Sequence, residues 1–313
     1  MSQHETVMAA PPLAIRKKRW YQGEKAFAFL LNFPAVLIIT ILVAYPVIYA
    51  FILSFYYYNL RRPRRTRFVW LNNYVDILTD PFFWSVMKVT IYFVIVSVAL
   101  LLVIGMALAI LLNEQFKGRG IVRSLVLIPW AIPPVVNGLM WQGILNGTYG
   151  VFNGILYRLG LIDTYIGWLT RPFLALNMAA FAHVWNNVPF CAIVLLASLQ
   201  AIPGEQYQAA RVDGANFLQR FWNITVPWLT QAILIILIYQ TMHAFRVFDI
   251  IYTLTAGGPA YATHLLAWQT YMTAFGSYDF GHGNAYSYLI TIITMSLAVF
   301  YIRMLYRRVE VQG

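Results

Sequence analysis

Two groups of polar residues stand inside long apolar runs of this chain, and theirs are the side chains whose types can do chemistry. His183, Asn186 and Asn187 interrupt one run; Gln240, His243, Arg246 and Asp249 interrupt another. Such groups are costly in hydrocarbon and face a cavity or a partner. Imidazole, amide, guanidinium and carboxylate together suit recognition of a polar solute. His183 and Asn187 are four residues apart and share a helical face, while Gln240, His243 and Asp249 follow helical steps approximately. Trp141 and Trp185 can stack on a ring. Plainer roles fit the same residues. Arg246 and Asp249, three apart, can neutralise each other at a helix end; the asparagines can bond between helices; tryptophans near span ends anchor at the membrane interface.

Bond-making chemistry finds no support. The chain has no Gly-Lys pair, so the phosphate-cradling G-x-x-x-x-G-K-[ST] loop is absent. It also lacks H-E-x-x-H, G-x-S-x-G and any close carboxylate pair, and His4, His183, His243, His264 and His282 show no metal-ligand spacing. Neither a catalytic residue nor a metal site is expected. Cys191 is the single cysteine, which excludes an intrachain disulfide and a Cys-based metal site.

Between the two apolar runs lies a polar island, Gln208 to Pro227, QAARVDGANFLQRFWNITVP. Pro203 can open a helix and Glu205 suits its N-terminus, so a first helix is expected to about Asp213. Gly214 permits a sharp turn and Asn216 can cap a second helix. Phe217, Phe221 and Ile224 then share one face. Two short helices at an angle result, one with an aromatic stripe, which suits docking to a partner. An amphipathic segment lying on headgroups is the alternative.

The elements that position these residues are membrane spans. With 60% hydrophobic and only 11% charged residues, the chain cannot cover a soluble surface. Six spans are expected at 27–55, 85–112, 124–145, 173–199, 228–252 and 285–305. The first contains Pro34 and Pro46 and should tilt, or kink near Pro46; Asp80-Pro81 should cap the second. The basic cluster Arg16, Lys17, Lys18, Arg19 and Lys25 precedes an apolar stretch, Ala26 to Tyr58, too long for a signal-peptide core, so a retained first span is expected. Net charge of +11 reflects basic residues at span ends, which points to headgroups and topology rather than nucleic acid. With the N-terminus inside, thirteen Lys and Arg face the cytoplasm and seven face outward, which places both termini and the Gln208 loop in the cytoplasm. The run Arg61, Arg62, Arg64, Arg65 and Arg67 is anomalous in an outward loop. An acidic external partner, a misplaced loop or a solvated charge run each fits it. The stretch 147–171 reads as an ordered outer loop or surface helix. Expected domains are a tail over 1–26, one transmembrane domain over 27–306 with the polar loop near 200–227, and a tail over 307–313.

In its spacing of Ala209-Ala210, Asp213-Gly214-Ala215, Phe221, Ile224 and Pro227, the polar island resembles the cytoplasmic coupling (EAA) loop of ABC-importer membrane subunits. The resemblance extends along nearly the whole chain to maltose-type sugar-importer permeases. It is carried by Tyr45-Pro46, Ser54-Phe55, Asn72-Asn73-Tyr74, Pro129-Trp130, Pro133-Pro134, Gly138-Leu139-Met140-Trp141 and the tract from Phe248-Asp249 to Gly257-Gly258-Pro259. It implies an all-α integral membrane protein of six transmembrane helices, the type I permease fold, in the cytoplasmic membrane. It also implies the partners: a second permease, two ATP-binding subunits, an extracytoplasmic solute-binding protein and membrane lipid. ATP and Mg would act in the partner ATPase, leaving this chain without a cofactor. Gln208, Ala209, Ala210, Asp213, Gly214, Ala215, Phe217 and Phe221 would couple to that ATPase. Solute contacts would come from the middles of the spans flanking the loop, where His183, Asn186, Asn187, Gln240, His243, Arg246 and Asp249 lie, with Trp141 also on the pathway as a ring to stack on a sugar.

One departure stands out, because the family usually has glutamate where this chain has Gln208. Glutamine keeps shape and hydrogen bonding but loses a charge-assisted bond about twice as strong as a neutral one. Either the partner groove has adapted, or coupling leans on Asp213, Gly214 and the aromatic stripe. The resemblance further implies alternating access, with the loop as lever and spans four and five as cavity wall. Other classes compatible with a polytopic chain are a membrane glycosyl- or acyltransferase, which would need acidic or histidine clusters at a membrane face. A secondary transporter would need repeated halves and an ion site. The solute itself, neutral or anionic, is not legible.

Overall fold

The computed structural model describes residues 24–310, with side chains for 27–303. The tail expected over 1–26, with its basic cluster, lies outside the described side chains, as do Arg307, Arg308 and the last residues. The described residues divide into two units between Ile52 and Leu53.

In the first unit, α1 (Glu24–Ile39) runs into a π-helical turn over Thr40–Ala44 and continues as α2 (Tyr45–Leu53). The expectation near Pro46 is a tilt or a kink; what is present is that wider turn, just before the proline. Proline lacks an N–H and its ring crowds the carbonyl four residues back, so an extra residue in the preceding turn relieves both. Thr40 and Asn32 donate to the backbone carbonyls of Val36 and Ala28, each at 2.8 Å, which hides their polar groups from hydrocarbon.

The second unit is a bundle of long helices with shorter ones at its ends. A hairpin of β1 (Tyr56–Tyr57) and β2 (Arg67–Phe68) leads to α3 (Asn72–Thr79). Asp80 then caps α4 (Pro81–Asn113), its carboxylate accepting from the Phe82 amide at 2.8 Å with Pro81 in the first turn, as expected. The chain continues through α5 (Arg119–Ala131), α6 (Pro134–Ile144) and α7 (Val151–Arg158) to α8 (Pro172–Gln200). Next come α9 (Gly204–Val212), α10 (Phe217–Arg220), α11 (Val226–Phe245), α12 (Asp249–Leu254), α13 (Leu266–Tyr271) and α14 (Phe280–Glu310). α4 and α8 make the most extensive pairing, and α11 packs on both and on α14. Gly105 of α4 makes the close approach possible: a methyl there would lie 2.8 Å from Cys191 Cβ on α8.

Among the described residues five helices are long and apolar enough to cross a membrane, or six when α5 and α6 count as one. Two expected spans need correction. The span expected at 124–145 is broken: α5 and α6 meet at 97° across Ile132-Pro133. Pro129, Pro133 and Pro134 remove three backbone donors within six residues, so a straight helix cannot be kept. The span expected at 228–252 instead covers Phe217–Phe245 and stops at Arg246, with α12 as a separate helix. The second helix of the polar island is therefore not short; it is the first turn of the fifth span.

Two apolar clusters hold the bundle. One gathers Phe83, Phe93, Ile251, Leu265, Leu266 and Trp268 around α12 and α13. The other gathers Leu101, Leu112, Leu195, Leu199, Leu229 and Ile236 toward the polar island.

Candidate functional site

The polar island folds as its residue types require. α9 ends at Val212, and Gly214 takes φ +77°, a left-handed conformation that a Cβ would strain. The amide of Ala215 donates to the Ala210 carbonyl at 2.8 Å and closes the turn. Asn216 then caps α10 in a reciprocal box: its Oδ1 accepts from the Gln219 amide at 2.9 Å, and Gln219 Oε1 accepts from the Asn216 amide at 2.8 Å. A π turn over Phe221–Thr225 joins α10 to α11 without a break. Tyr207 and Thr225 share a hydroxyl hydrogen bond at 2.9 Å, which ties α9 to the foot of the fifth span.

Gln208, Ala209, Asp213, Gly214 and Phe217 are exposed, while Ala210, Ala215 and Phe221 are half-buried. Val212 is 87% exposed at the tip, flanked by exposed Leu218 and Trp222. Sequence reasoning passed over these three; an exposed apolar side chain within a polar loop was their signal. Behind the loop lies a cavity of about 760 Å³ lined by Asn113, Glu114, Tyr207, Arg211 and Arg220.

The polar residues inside the spans separate into structural and accessible groups. Asn186 is buried and donates to the carbonyls of Pro129 and Ile132, at 2.6 and 3.1 Å, which satisfies the break between α5 and α6. Asn187 donates back to the His183 carbonyl at 2.9 Å. His183 is buried and stacks on His243 with ring centroids 5.5 Å apart, joining α8 to α11. Gln240 is buried beside the Cys191 thiol. Trp141 packs edge-on against Trp185 at 5.7 Å and Phe181 at 5.2 Å. Arg246 is exposed where α11 ends and Asp249 opens α12. The helical pairing of these two does not form, because the helix breaks between them, and no ion pair joins them among the described residues.

The structure adds Trp130, Phe190 and Tyr239, which spacing alone did not mark. In the order Trp130, Phe190, Tyr239, His243 and His183 they form with the two histidines a file of rings with successive centroids 5.9, 4.9, 6.0 and 5.5 Å apart. Trp130 at one end and Tyr239 in the middle are exposed, and His183 at the other end is buried. Flat rings with amide, imidazole and hydroxyl groups nearby can bind the apolar faces and hydroxyls of a polar ring-shaped solute.

Comparison with known proteins gives the geometry a context. A family model described as "Binding-protein-dependent transport system inner membrane component" matches residues 101–310. The chain is 38% identical over 283 residues to a trehalose/maltose transport system permease protein (MalF) of Thermococcus litoralis, covering 90% of this chain and 94% of that protein. It is 33% identical over 291 residues to a sulfoquinovosyl glycerol transport system permease protein (SmoG) of Agrobacterium fabrum, covering 93% and 94%. Its fold resembles a chain in the crystal structure of a bacterial ABC transporter involved in import of the acidic polysaccharide alginate. The TM-score is 0.77 at 23% identity, with 90% of this chain and 95% of that chain covered.

Proposed function

The chain belongs to the binding-protein-dependent transport system inner membrane components, and from that membership we propose that it forms half of the translocation pathway of an ATP-driven importer for a sugar or sugar-derived solute. It is a multi-pass transport permease of the inner membrane. Family membership displaces the glycosyltransferase, acyltransferase and secondary-transporter alternatives.

The observation that carries the proposal is the continuity of the Gly214-centred loop with the fifth span. α10, the π turn and α11 form one uninterrupted helical rod from Phe217 to Phe245, with His243 near its far end. A push on the loop is transmitted along that rod, and the Tyr207–Thr225 bond makes α9 move with it. The π turn at its foot is a place where helices deform at low cost. At the other end, the stacked His183 and His243 would separate or slide as the fifth span tilts against the fourth, opening the file of rings to solute.

The partners follow from the same reading: a second permease, two ATP-binding subunits, an extracytoplasmic solute-binding protein and surrounding lipid. ATP and Mg act in the partner ATPase, against the surface of Gln208, Ala209, Ala210, Asp213, Gly214, Ala215, Phe217 and Phe221. Both termini then lie in the cytoplasm, and 27–306 forms the permease domain. Solute contacts are assigned to Trp141, His243 and Arg246, with His183, Gln240 and Asp249 behind them, and Asn186 and Asn187 chiefly structural.

The test is ATPase activity of the complex reconstituted in lipid, with and without the solute-binding protein and a panel of sugars. Stimulation by liganded binding protein is expected. Failure of this chain to assemble with any ATPase would overturn the proposal.

A further inference from the structure

The hairpin between the first two spans carries charge with no ion-pair partner among the described residues. Of its five arginines, Arg61 has a structural post: its guanidinium donates to the Gly276 carbonyl at 3.2 Å and lies 4.8 Å from the centre of the Tyr278 ring. Arg62, Arg64, Arg65 and Arg67 are exposed, and the ion pairs among the described residues all involve His282 instead. Four exposed like charges on a turn of 3-10 helix and its flanks attract anions.

Hydrogen bonds fix where this turn sits. Leu60 donates its amide to Tyr278, and the amides of Phe280 and Gly281 donate to Tyr58, at 3.0, 2.9 and 3.1 Å. The hairpin is thus stitched to the first turn of α14, the mouth of the last span. From the other side the Asn73 amide donates to the carbonyls of Ser54 and Tyr56 at 2.8 and 2.9 Å. The arginines therefore lie beside the N-terminal end of the last span.

Beside them runs an apolar row. Trp70 is 65% exposed and Phe68 54%, and Leu71, Val75 and Leu78, spaced four and three residues apart, are exposed along one face of α3. Asn73 and Ile77 turn the opposite face inward. Trp84, half-exposed, donates its indole N–H to the Leu78 carbonyl at 2.9 Å and continues the row into α4. Aromatic and aliphatic side chains next to unpaired arginines match the boundary of a bilayer, where rings meet acyl chains and cations meet phosphates.

We propose that the hairpin and α3 form a binding surface for anionic phospholipid headgroups. Arg62, Arg64, Arg65 and Arg67 hold the phosphates, while Phe68, Trp70 and Leu71 reach the acyl boundary. An acidic protein docked on the arginines would leave the apolar row unanswered, whereas one lipid layer covers both. The assignment rests on the importer reading only for which leaflet is meant, the outer one.

The experiment takes the full complex, stripped of lipid in detergent, and measures by native mass spectrometry its retention of phosphatidylglycerol against phosphatidylcholine. Each arginine near an anionic surface is worth about fivefold, so a preference of at least about tenfold is expected. R62Q/R64Q/R65Q/R67Q should bring it to parity, and the matching lysine variant should keep it. If the fourfold variant fails to assemble, R64Q and R65Q singly should each cost about fivefold. Equal retention of both lipids by the wild type, or an unchanged preference in the glutamine variants, would overturn the proposal. So would displacement of the lipid by inorganic phosphate, which marks a free-anion site. Loss of the response to solute-binding protein with lipid preference intact would move the charge to a protein partner and equally overturn it. Lipid retention needs no transport, so failure of the importer reading shows separately, as absent ATPase assembly.

Discussion

Asn186 of α8 holds the broken third span in place: one side-chain amide donates to the carbonyls of Pro129 and Ile132, on either side of the point where α5 ends. Carbonyls freed by a break within a membrane have no water to turn to. The bend and the buried asparagine are thus one feature, and Asn137 of α6 returns the favour by donating to the Ala182 carbonyl at 3.1 Å.

Asn186→Leu should therefore destabilise the complex by about 1 to 2 kcal/mol, since the Ile132 carbonyl loses the Asn186 donor and the Pro129 carbonyl keeps only the Ile132 amide, at 3.2 Å. Asn137→Leu, which frees one acceptor, should cost less. Thermal unfolding of the purified complex measures both, and equal stability of Asn186→Leu and wild type would refute the structural role.

At Gly214 the prediction turns on backbone alone. A Cβ there would meet nothing within 4 Å, so Gly214→Ala should cost about 1 to 2 kcal/mol through its φ of +77° without any clash. Gly214→Asn should be milder, because asparagine tolerates left-handed backbone. Gly214→Pro, locked near −65°, should abolish binding-protein-stimulated ATPase with assembly intact. Stimulated activity in that variant at wild-type level would show that the turn is not the coupling element.

Much of this loop was legible before any coordinates. Proline, glycine and asparagine act through their immediate neighbours, so the end of α9, the turn at Gly214 and the cap at Asn216 could be read locally. The span ends near Asp80 and Gln200 were legible for the same reason. The break after Ala131 was not, although Pro129, Pro133 and Pro134 were in view, because mean hydropathy carries no direction. The interhelical bond expected of the asparagines is present at Asn186, though its acceptors at that break were not foreseen, whereas the pairing of Arg246 with Asp249 fails because α11 ends between them. The ring file needed three helices in register, a relationship that no single stretch contains.

His264 predicts a pH dependence. Its Nε2 donates to Gln269 Oε1 at 2.6 Å, and burial pushes its pKa below the ordinary 6.5, with the Gln269 bond opposing. The folded state therefore resists protonation that the unfolded chain accepts. Stability from this site is intact above pH 6.5 and falls as pH drops below it toward the lower folded value. Asp279, whose carboxylate is held low by hydrogen bonds from His282 against the opposing effect of burial, loses its contribution only below its ordinary 3.8. The two windows do not coincide. His264→Gln retains a donor for Gln269 and cannot titrate, so the difference in melting temperature between variant and wild type should grow from pH 7 to 5. A constant difference would exclude His264 as the cause.

Gln208 supplies the sharpest test of how the loop meets its partner. It is exposed on α9, with Glu205 three residues before and Arg211 three after. Gln208→Glu therefore adds one repulsive and one attractive neighbour of similar weight, each worth about 0.2 to 0.5 kcal/mol, and leaves the helix itself nearly unchanged. Any functional change must then arise at the partner's surface. If coupling rests on Asp213, Gly214 and the apolar tip, stimulated ATPase activity in Gln208→Glu should stay within about twofold of wild type, the weight of one exposed charge. Phe221→Ala should lose about tenfold or more, because truncating a packed aromatic contact at an interface costs about 2 kcal/mol. A severalfold gain in Gln208→Glu would instead mean that a basic residue of the ATPase still waits for the carboxylate, with the loop coupled below its capacity.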